Sequence, residues 1–213
     1  MKWTYGNSWE KYPIKENEVW KYNNSYISVY DIRNTIPSFI ENVDLIYCDP
    51  PWNQGNANSF ITKAYKNTYI NSFSEFYIPF FKKIKSINAK IIFLEIGKQN
   101  IDLFKIELYK LYKYIQIWQI TYYKKYPCFL ICGCNDIHNY NYTGIDDSIL
   151  PNIVINNIKN CNIVLDLCTG KGLTGIAAHK YNKQFYGLEL NKRRLACFID
   201  KMNGKYKYAY TLS

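Results

Sequence analysis

The sequence predicts an α/β domain built around a mostly parallel β-sheet. Short apolar runs at 43–48, 89–94, 162–167 and 184–188 are typical of buried strands, and helical patterns separate them. Two of these runs break into turns rich in ligand-binding residue types, at 49–52 and 168–172. Because ligands bind beyond the carboxyl ends of strands in open α/β sheets, both turns should lie at the binding edge.

Length and charge limit the architecture and the partner. A chain of 213 residues suits one domain with a full core. We expect an N-terminal arm over 1–24 and a single domain over 25–213, with halves at 25–134 and 148–203. The formal charge of +10 favours a polyanionic partner, nucleic acid before membrane. No secretion signal or long apolar span is recognisable, which predicts a soluble cytoplasmic protein, prokaryotic or viral in its host.

The first half is expected to contain five strands and two longer helices. The arm interleaves aromatic residues with lysines, so it either lines a nucleic-acid groove or packs onto the body. The polar segment 53–71 is a candidate lid or substrate clamp, or else a plain connector. The elements are strands at 25–30, 43–48, 89–94, 115–122 and 127–132, a short helix or turn at 34–41, and helices at 72–85 and 100–112.

The second half adds two strands and three helices. Asp147 or Ser148 should cap a helix that runs to about residue 159, and Asn191 should cap the last helix. The strands lie at 162–167 and 184–188, the later helices run to about 181 and 202, and the tail at 205–213 is a candidate edge strand.

The cysteines offer a metal site as an alternative. Cys128, Cys132, Cys134 and His138 fall close together, but their spacing differs from a regular Cys-x-x-Cys knuckle and the segment has a strand pattern. We therefore expect no metal.

The turn after the strand 43–48 has the residues to bind an amine. The Asp49 carboxylate and the Pro50 carbonyl are acceptors, and together they could receive both hydrogens of an exocyclic NH2 group. Pro51 continues a rigid turn, and Trp52 offers a flat face on which a base can stack. The alternative is a simple Pro-Pro turn with a buried tryptophan.

The second turn has the features of a cofactor loop. It runs from Asp166 through Gly170 to Gly172, between a strand and a helix, and glycines let a ligand approach the backbone. The next strand ends in Glu189, which is placed to accept hydrogen bonds from ribose hydroxyls. The third glycine of the dinucleotide fingerprint and the phosphate-loop Gly-Lys-Ser/Thr are absent, which argues against NAD and ATP.

The two turns together resemble the S-adenosylmethionine-dependent amino-methyltransferases of DNA and RNA. In that family Asp-Pro-Pro-Trp/Tyr is the catalytic motif and Asp-x-Phe-x-Gly-x-Gly is the cofactor motif. Their order here is similar to the circularly permuted beta class, with a catalytic half followed by a cofactor half. The resemblance covers about residues 25–203. It implies a Rossmann-like, seven-stranded methyltransferase sheet, mostly parallel with one antiparallel strand.

The resemblance also assigns site residues. Asp31 would face the adenine amino group of the cofactor, and Glu189 its ribose. The target amine and base would be held by Asp49, Pro50, Pro51 and Trp52. S-adenosylmethionine would be held by Asp31, Asp49, Pro151, Asp166, Cys168, Gly170, Gly172, Thr174 and Glu189. Nucleic-acid contacts are expected from Asn53, Gln54, Lys124 and Lys125, although a solvated hairpin tip is an alternative for the two lysines.

Three departures from the family pattern bear on specificity. Cys168 replaces the usual phenylalanine, and Lys171 stands between the glycines, where a small residue is common. Residues 135–150 leave no room for the target-recognition domain that beta-class DNA enzymes usually insert. Sequence specificity should therefore be low, or come from the arm and segment 53–71, or come from a homodimer or a separate recognition subunit.

The predicted activity is methyl transfer from S-adenosylmethionine to an exocyclic amine, most of all N6 of adenine in DNA. N4 of cytosine in DNA and N6 of adenine in RNA are the alternatives within the same reaction class. A non-catalytic, nucleic-acid-binding subunit of a methyltransferase complex is the alternative from another class.

Overall fold

The computed structural model describes residues 5–213, so residues 1–4 of the arm, including Trp3, lie outside the described residues. One β-sheet forms the centre and has a hydrophobic core on each face. Helices α5, α6 and α7 contribute to the core on one face, and α2, α3 and α4 to the core on the other.

The elements follow the expected alternation of strands and helices. The strands are β1 (Val19–Tyr22), β2 (Ser25–Val29), β3 (Leu45–Cys48), β4 (Ile91–Ile96), β5 (Tyr114–Tyr122), β6 (Tyr126–Cys134), β7 (Ile163–Asp166), β8 (Gln184–Glu189) and β9 (Thr211–Leu212). The helices are α1 (Ser8–Lys11), α2 (Gln54–Lys63), α3 (Ser74–Ile87), α4 (Ile101–Tyr109), α5 (Leu150–Asn157), α6 (Leu173–Lys180) and α7 (Lys192–Gly204), with a 3-10 turn at Lys98–Asn100.

The prediction of seven strands, mostly parallel with one antiparallel, is wrong. Within the described residues the sheet has nine strands, in the order β5-β6-β4-β3-β7-β8-β2-β1-β9. Four strand pairs are parallel, and the four antiparallel pairs include the two longest ladders, β5–β6 and β4–β6. The two strands beyond the predicted seven are β1, which is too short to show a period in the sequence, and β9, which lies in the tail 205–213 that was a candidate edge strand.

The segment after the first turn is also not a loop. Residues 54–63 form helix α2, because the Asn53 side chain caps it by accepting from the Asn56 backbone N–H at 2.9 Å. Ala57 and Ile61 are buried and anchor this helix on the body. The polar composition misled the prediction, since a helix needs only one apolar face.

The second half follows the predicted order of elements, with one difference in capping. Asn191 caps α7 as predicted, accepting from the Arg193 backbone N–H at 3.0 Å. Neither Asp147 nor Ser148 caps α5; Asp147 instead accepts from the Tyr123 backbone N–H at 3.0 Å. None of the helices within residues 5–213 combines the length and apolar character needed to cross a membrane.

Candidate active site

The Asp-Pro-Pro-Trp turn starts at the residue that follows β3. Trp52 donates its indole N–H to Asp49 Oδ1 at 2.9 Å, which fixes the two side chains relative to each other. Asn100 holds the turn from the segment after the neighbouring strand β4 by donating to the Trp52 carbonyl at 2.7 Å. Gly97 lies against the indole, since a Cβ built there would be 2.6 Å from Trp52 Cε3. The end of β4 therefore positions the tryptophan.

The glycine turn follows β7 and is closed by an acid from β8. Glu189 accepts from the Gly170 backbone N–H at 2.7 Å and from the Asn191 backbone N–H at 2.8 Å. Gly172 has φ +82°, and a Cβ there would lie 2.0 Å from the ring of Phe198. Glycine is thus required at 172 both by the left-handed backbone and by the close approach of α7.

A cavity of about 330 Å³ joins the two turns. It lies at the carboxyl ends of β3, β4, β7 and β8, where the sequence predicted a binding edge. The predicted site residues on its wall are Asp31, Asp49, Pro51, Pro151, Asp166, Cys168, Gly170, Thr174 and Glu189. Residues that lie more than 100 positions apart in the chain therefore face the same space.

Three predicted residues lie just outside this wall. Pro50 and Trp52 line a second, smaller cavity of about 100 Å³ that shares Asp49 with the first and is also bounded by Tyr122. The rings of Trp52 and Tyr122 make an edge contact, with 5.0 Å between their centroids. Gly172 packs against Phe198 of α7 and does not line the cavity.

Two of the four residues predicted to contact nucleic acid, Asn53 and Gln54, form side-chain hydrogen bonds within the protein. Asn53 caps α2 and also donates to Gln99 Oε1 at 3.1 Å. Gln54 donates to the backbone carbonyls of residues 70 and 71 at 3.2 and 3.0 Å. Lys124 and Lys125 are exposed at the tip of the β5–β6 hairpin, where the Lys125 ammonium lies 5.2 Å from the ring centroid of Tyr126.

The hairpin tip has an unusual backbone for its residues. Tyr123 and Lys124 have φ of +52° and +57°, the geometry of a tight hairpin turn that usually selects asparagine or glycine. Asp147 and Asp146 stabilise it by accepting from the backbone N–H groups of Tyr123 and Lys124. Tyr122 and Tyr123 thereby reach the cavity wall.

Four adjacent strands each end in an acid on the same face of the sheet. Successive side chains of a strand point to opposite faces of the sheet. Each of the four acids lies two or four residues after a member of the core that also contains α5, α6 and α7, so all four side chains are on that face. They are Glu95 on β4, Asp49 after β3, Asp166 on β7 and Glu189 on β8. We call these four residues the acid row; all of them line the cavity.

Burial raises the pKa values of the acid row. The pKa of Asp166, which is only 3% exposed, rises to about 7, mainly through burial and against the hydrogen bonds it accepts. The pKa of Asp49 also rises to about 7; its carboxylate is open to water inside the cavity, but the surrounding protein and the charge of Asp147 disfavour ionisation. The pKa values of Glu95 and Glu189 rise mainly through burial.

Asp31 behaves differently from the acid row. It follows β2 and forms an ion pair with Arg33, whose Nε lies 2.9 Å from Asp31 Oδ1. Partial burial works to raise the pKa of Asp31, but the hydrogen bonds and charge of Arg33 outweigh it and hold the pKa below its usual range. Asp31 is therefore a permanent anion at the edge of the cavity.

Several cavity residues were missed by the sequence reasoning. Glu95 interrupts the apolar run 91–96, and an acid near the end of a predicted strand was the signal that could have identified it. The sequence predicts only a capping role for Asp147 or Ser148, and Arg194 gives no signal because it lies inside a helix pattern. The tyrosine pair 122–123 reaches the cavity only through the hairpin geometry, which leaves no clear signal in the sequence.

The residues considered for a metal site are used in packing. His138 Nε2 and the Tyr142 hydroxyl are hydrogen-bonded at 2.7 Å, and both rings pack against Phe93. Within residues 5–213 no group of three or more His, Cys, Asp or Glu side chains is arranged to hold a metal ion.

Comparison with known proteins finds similarity at the level of structure. No family model and no curated protein matches the sequence. M1.HpyAVI superposes with a TM-score of 0.56 at 19% identity, over 83% of this chain and 97% of that one. The PvuII DNA methyltransferase, which is cytosine-N4-specific, gives 0.54 at 14%, over 87% and 90%.

Two of the similar structures contain S-adenosylmethionine. The putative DNA modification methylase TTHA0409 from Thermus thermophilus, in complex with S-adenosyl-L-methionine, gives a TM-score of 0.58 at 15% identity, over 83% of this chain and 94% of that one. M1.HpyAVI has also been solved as a complex with this cofactor. The chain therefore shares its fold with these proteins.

Proposed function

We propose that this protein transfers a methyl group from S-adenosylmethionine to an exocyclic amine of a base in nucleic acid, and that N6 of adenine in DNA is the preferred target. The observation that carries the proposal is the convergence of the Asp-Pro-Pro-Trp turn and the glycine turn on one cavity. A transfer reaction needs both substrates side by side, and much of its rate comes from that alignment.

The cavity provides a cofactor side that suits S-adenosylmethionine. Its sulfonium is a cation, and the same wall carries Asp31 as an anion, joined above pH 7 by the carboxylates of Asp49 and Asp166. Gly170 leaves its side of the turn open, while Glu189 and Asp31 are acceptors for hydroxyl and amino groups. The structures of M1.HpyAVI and TTHA0409 with this cofactor support the assignment.

The target side lies around Asp49. The Asp49 carboxylate and the Pro50 carbonyl accept the two amine hydrogens, which draws the nitrogen towards sp3 and frees its lone pair. That lone pair would attack the methyl carbon, the sulfur would leave with the electron pair of its methyl bond, and the cationic amine would then release its proton to water. The interaction with Asp49 strengthens as the amine becomes cationic, so it favours the transition state.

The protein outside the cavity suits a polyanion. The chain carries a formal charge of +10, which favours nucleic acid, and a base in a duplex must be extruded to reach the cavity. We retain the arm over 1–24, whose residues 19–22 add strand β1 to the sheet, together with the single domain over 25–213. The beta-class permutation and a homodimer or separate recognition subunit are also parts of the proposal. The catalytic motif precedes the glycine turn in the chain, which supports the permutation.

The experiment is methyl transfer followed by nucleoside mass spectrometry. DNA and RNA are incubated with the protein and isotopically labelled S-adenosylmethionine, digested, and screened for labelled N6-methyladenine and N4-methylcytosine. The isosteric control is Asp49→Asn, which retains the acceptor for the Trp52 indole but weakens the acceptor for the amine. Labelled N6-methyladenine in DNA from wild type alone supports the proposal, whereas no labelled base from either nucleic acid contradicts it.

A further inference from the structure

Glu95 stands beside Asp49 at the target side of the acid row. Strands β3 and β4 are parallel and pair Cys48 with Leu94, so the next residues along, Asp49 and Glu95, are neighbours across the sheet. Glu95 is only 3% exposed and lines the cavity. Strands β7 and β8, which carry the glycine turn and Glu189, lie on the other side of β3, so Glu95 lies on the side of Asp49 away from them.

The hydrogen bonding of Glu95 leaves part of its carboxyl for a ligand. The Tyr47 hydroxyl donates to Glu95 Oε1 at 2.6 Å, within the buried part of the site. This bond fixes the carboxyl group and uses one oxygen. The other oxygen, Oε2, remains available to a base in the cavity.

The surroundings of Glu95 favour its neutral form. Burial raises its pKa first, and the neighbouring acids add to that effect against the hydrogen bond from Tyr47. The titratable groups that face it are Tyr47, Asp49, Cys128, Asp147 and Asp166. A neutral carboxyl group has one hydrogen-bond donor, which a carboxylate lacks.

We propose that Glu95 donates a hydrogen bond to the ring nitrogen next to the target amine, N1 of adenine or N3 of cytosine. This inference rests on the proposed function and names the recognition group of the same site. Asp49 and Pro50 take the two amine hydrogens, and the next atom on the base edge is an acceptor in both bases. Thymine presents an N–H at the equivalent position, so Glu95 as a donor rejects it.

The first test removes the ring-nitrogen acceptor from the base and leaves the protein unchanged. DNA oligonucleotides carry either the natural target base or its deaza analogue, 1-deazaadenine or 3-deazacytosine, and kcat/KM is measured for each. Wild type should prefer the natural base by about tenfold, the effect of one buried hydrogen bond. A wild type that methylates both bases equally well overturns the inference.

Two variants of Glu95 complete the experiment. Glu95→Gln keeps a donor and an acceptor in the same shape, so it should retain most of the activity and the preference for the natural base. Ionisation of Glu95 at alkaline pH should lower the activity of wild type, and Glu95→Gln should not show that fall. Glu95→Ala should lose about tenfold on the natural base and show no preference over the analogue. The inference is overturned if the preference survives in Glu95→Ala, or if Glu95→Gln loses it. Absence of methylation by wild type on any base would instead contradict the proposed function itself.

Discussion

Asp166 should make the protein less stable at neutral pH than an uncharged residue would. Its pKa in the folded state is about 7, against an ordinary value of 3.8. A raised pKa means that the folded protein holds this proton more tightly than the unfolded chain. The stabilising effect of the proton is complete below pH 3.8 and disappears as the pH rises through 7. Above pH 7 the folded protein therefore contains a buried carboxylate at an energetic cost.

The variant Asp166→Asn removes that cost while keeping the shape of the side chain. Its amide oxygen can still accept from the Cys168 backbone N–H, a hydrogen bond of 2.9 Å in this structure. A shift from 3.8 to about 7 corresponds to about 4 kcal/mol above pH 7 and roughly 2 kcal/mol at pH 5. For a chain of this size the melting temperature at pH 8 should rise by about 8–16 °C.

Urea denaturation of the protein without cofactor, at pH 5 and pH 8, measures this difference. We expect Asp166→Asn to be more stable than wild type at both pH values, with the larger gain at pH 8, and to bind S-adenosylmethionine more weakly. Asp31→Asn is the matched control on the same cavity, and because Arg33 lowers the pKa of Asp31, that variant should be less stable at pH 8. Equal stability of wild type and Asp166→Asn at pH 8 would refute the reasoning.

Four further predictions concern the same site. The rate of methyl transfer should fall roughly thirtyfold between pH 8.5 and pH 5.5, because Asp49, with a pKa of about 7, loses its acceptor when protonated; a flat profile would contradict this role. Glu189→Ala should abolish most of the rise in melting temperature caused by S-adenosylmethionine, and an unchanged rise would remove Glu189 from the cofactor site. Gly97→Ala should displace Trp52 and reduce turnover at least tenfold with normal cofactor affinity, whereas Gly204→Ala, whose Cβ meets nothing within 4 Å, should behave as wild type. Finally, DNA binding should weaken steeply with salt and single-stranded adenines should be methylated at least as well as paired ones, which methylation of random-sequence DNA at two salt concentrations would measure.

The sequence was sufficient to predict the strands that carry the site. Buried parallel strands read as continuous apolar runs, and both turns interrupt such runs with residues that a strand would not contain, Asp49-Pro50-Pro51 in one case and Gly170 and Gly172 in the other. The strand order then brings β3 and β7 together as direct neighbours. Local pattern and ligand chemistry pointed to the same residues, and nine of the predicted cofactor or catalytic residues line one cavity.

At one edge of the sheet, strand β1 and its pairing with β9 could not be predicted in the same way, although the tail 205–213 was a candidate edge strand. Strand β1 has four residues and β9 has two, and their pairing depends on contacts between the two ends of the chain. Strand pairing over such a separation leaves no local periodicity. Helix α2 was missed for a related reason, because its mean composition is polar and its position is fixed by the Asn53 cap and two buried side chains.

The charge of the chain is divided between its outer surface and its cavity. Within residues 5–213, seven of the 17 acidic residues line the cavity, but only three lysines and arginines do. They are Asp31, Asp49, Glu75, Glu95, Asp147, Asp166 and Glu189 among the acids, and Arg33, Lys171 and Arg194 among the cations. A strongly basic chain therefore encloses an acidic cavity.

This division matches the two substrates of the proposed reaction. The cationic exterior attracts a polyanion, while the ionised acids of the cavity, Asp31 and, above pH 7, Asp49 and Asp166, favour the sulfonium and repel phosphate groups. A nucleic acid can therefore approach the cavity, but only an extruded base should enter it. After transfer the cofactor product has lost the sulfonium charge, which removes part of its attraction to the acid row. The electrostatic arrangement that holds the methyl donor would thus also favour release of the product.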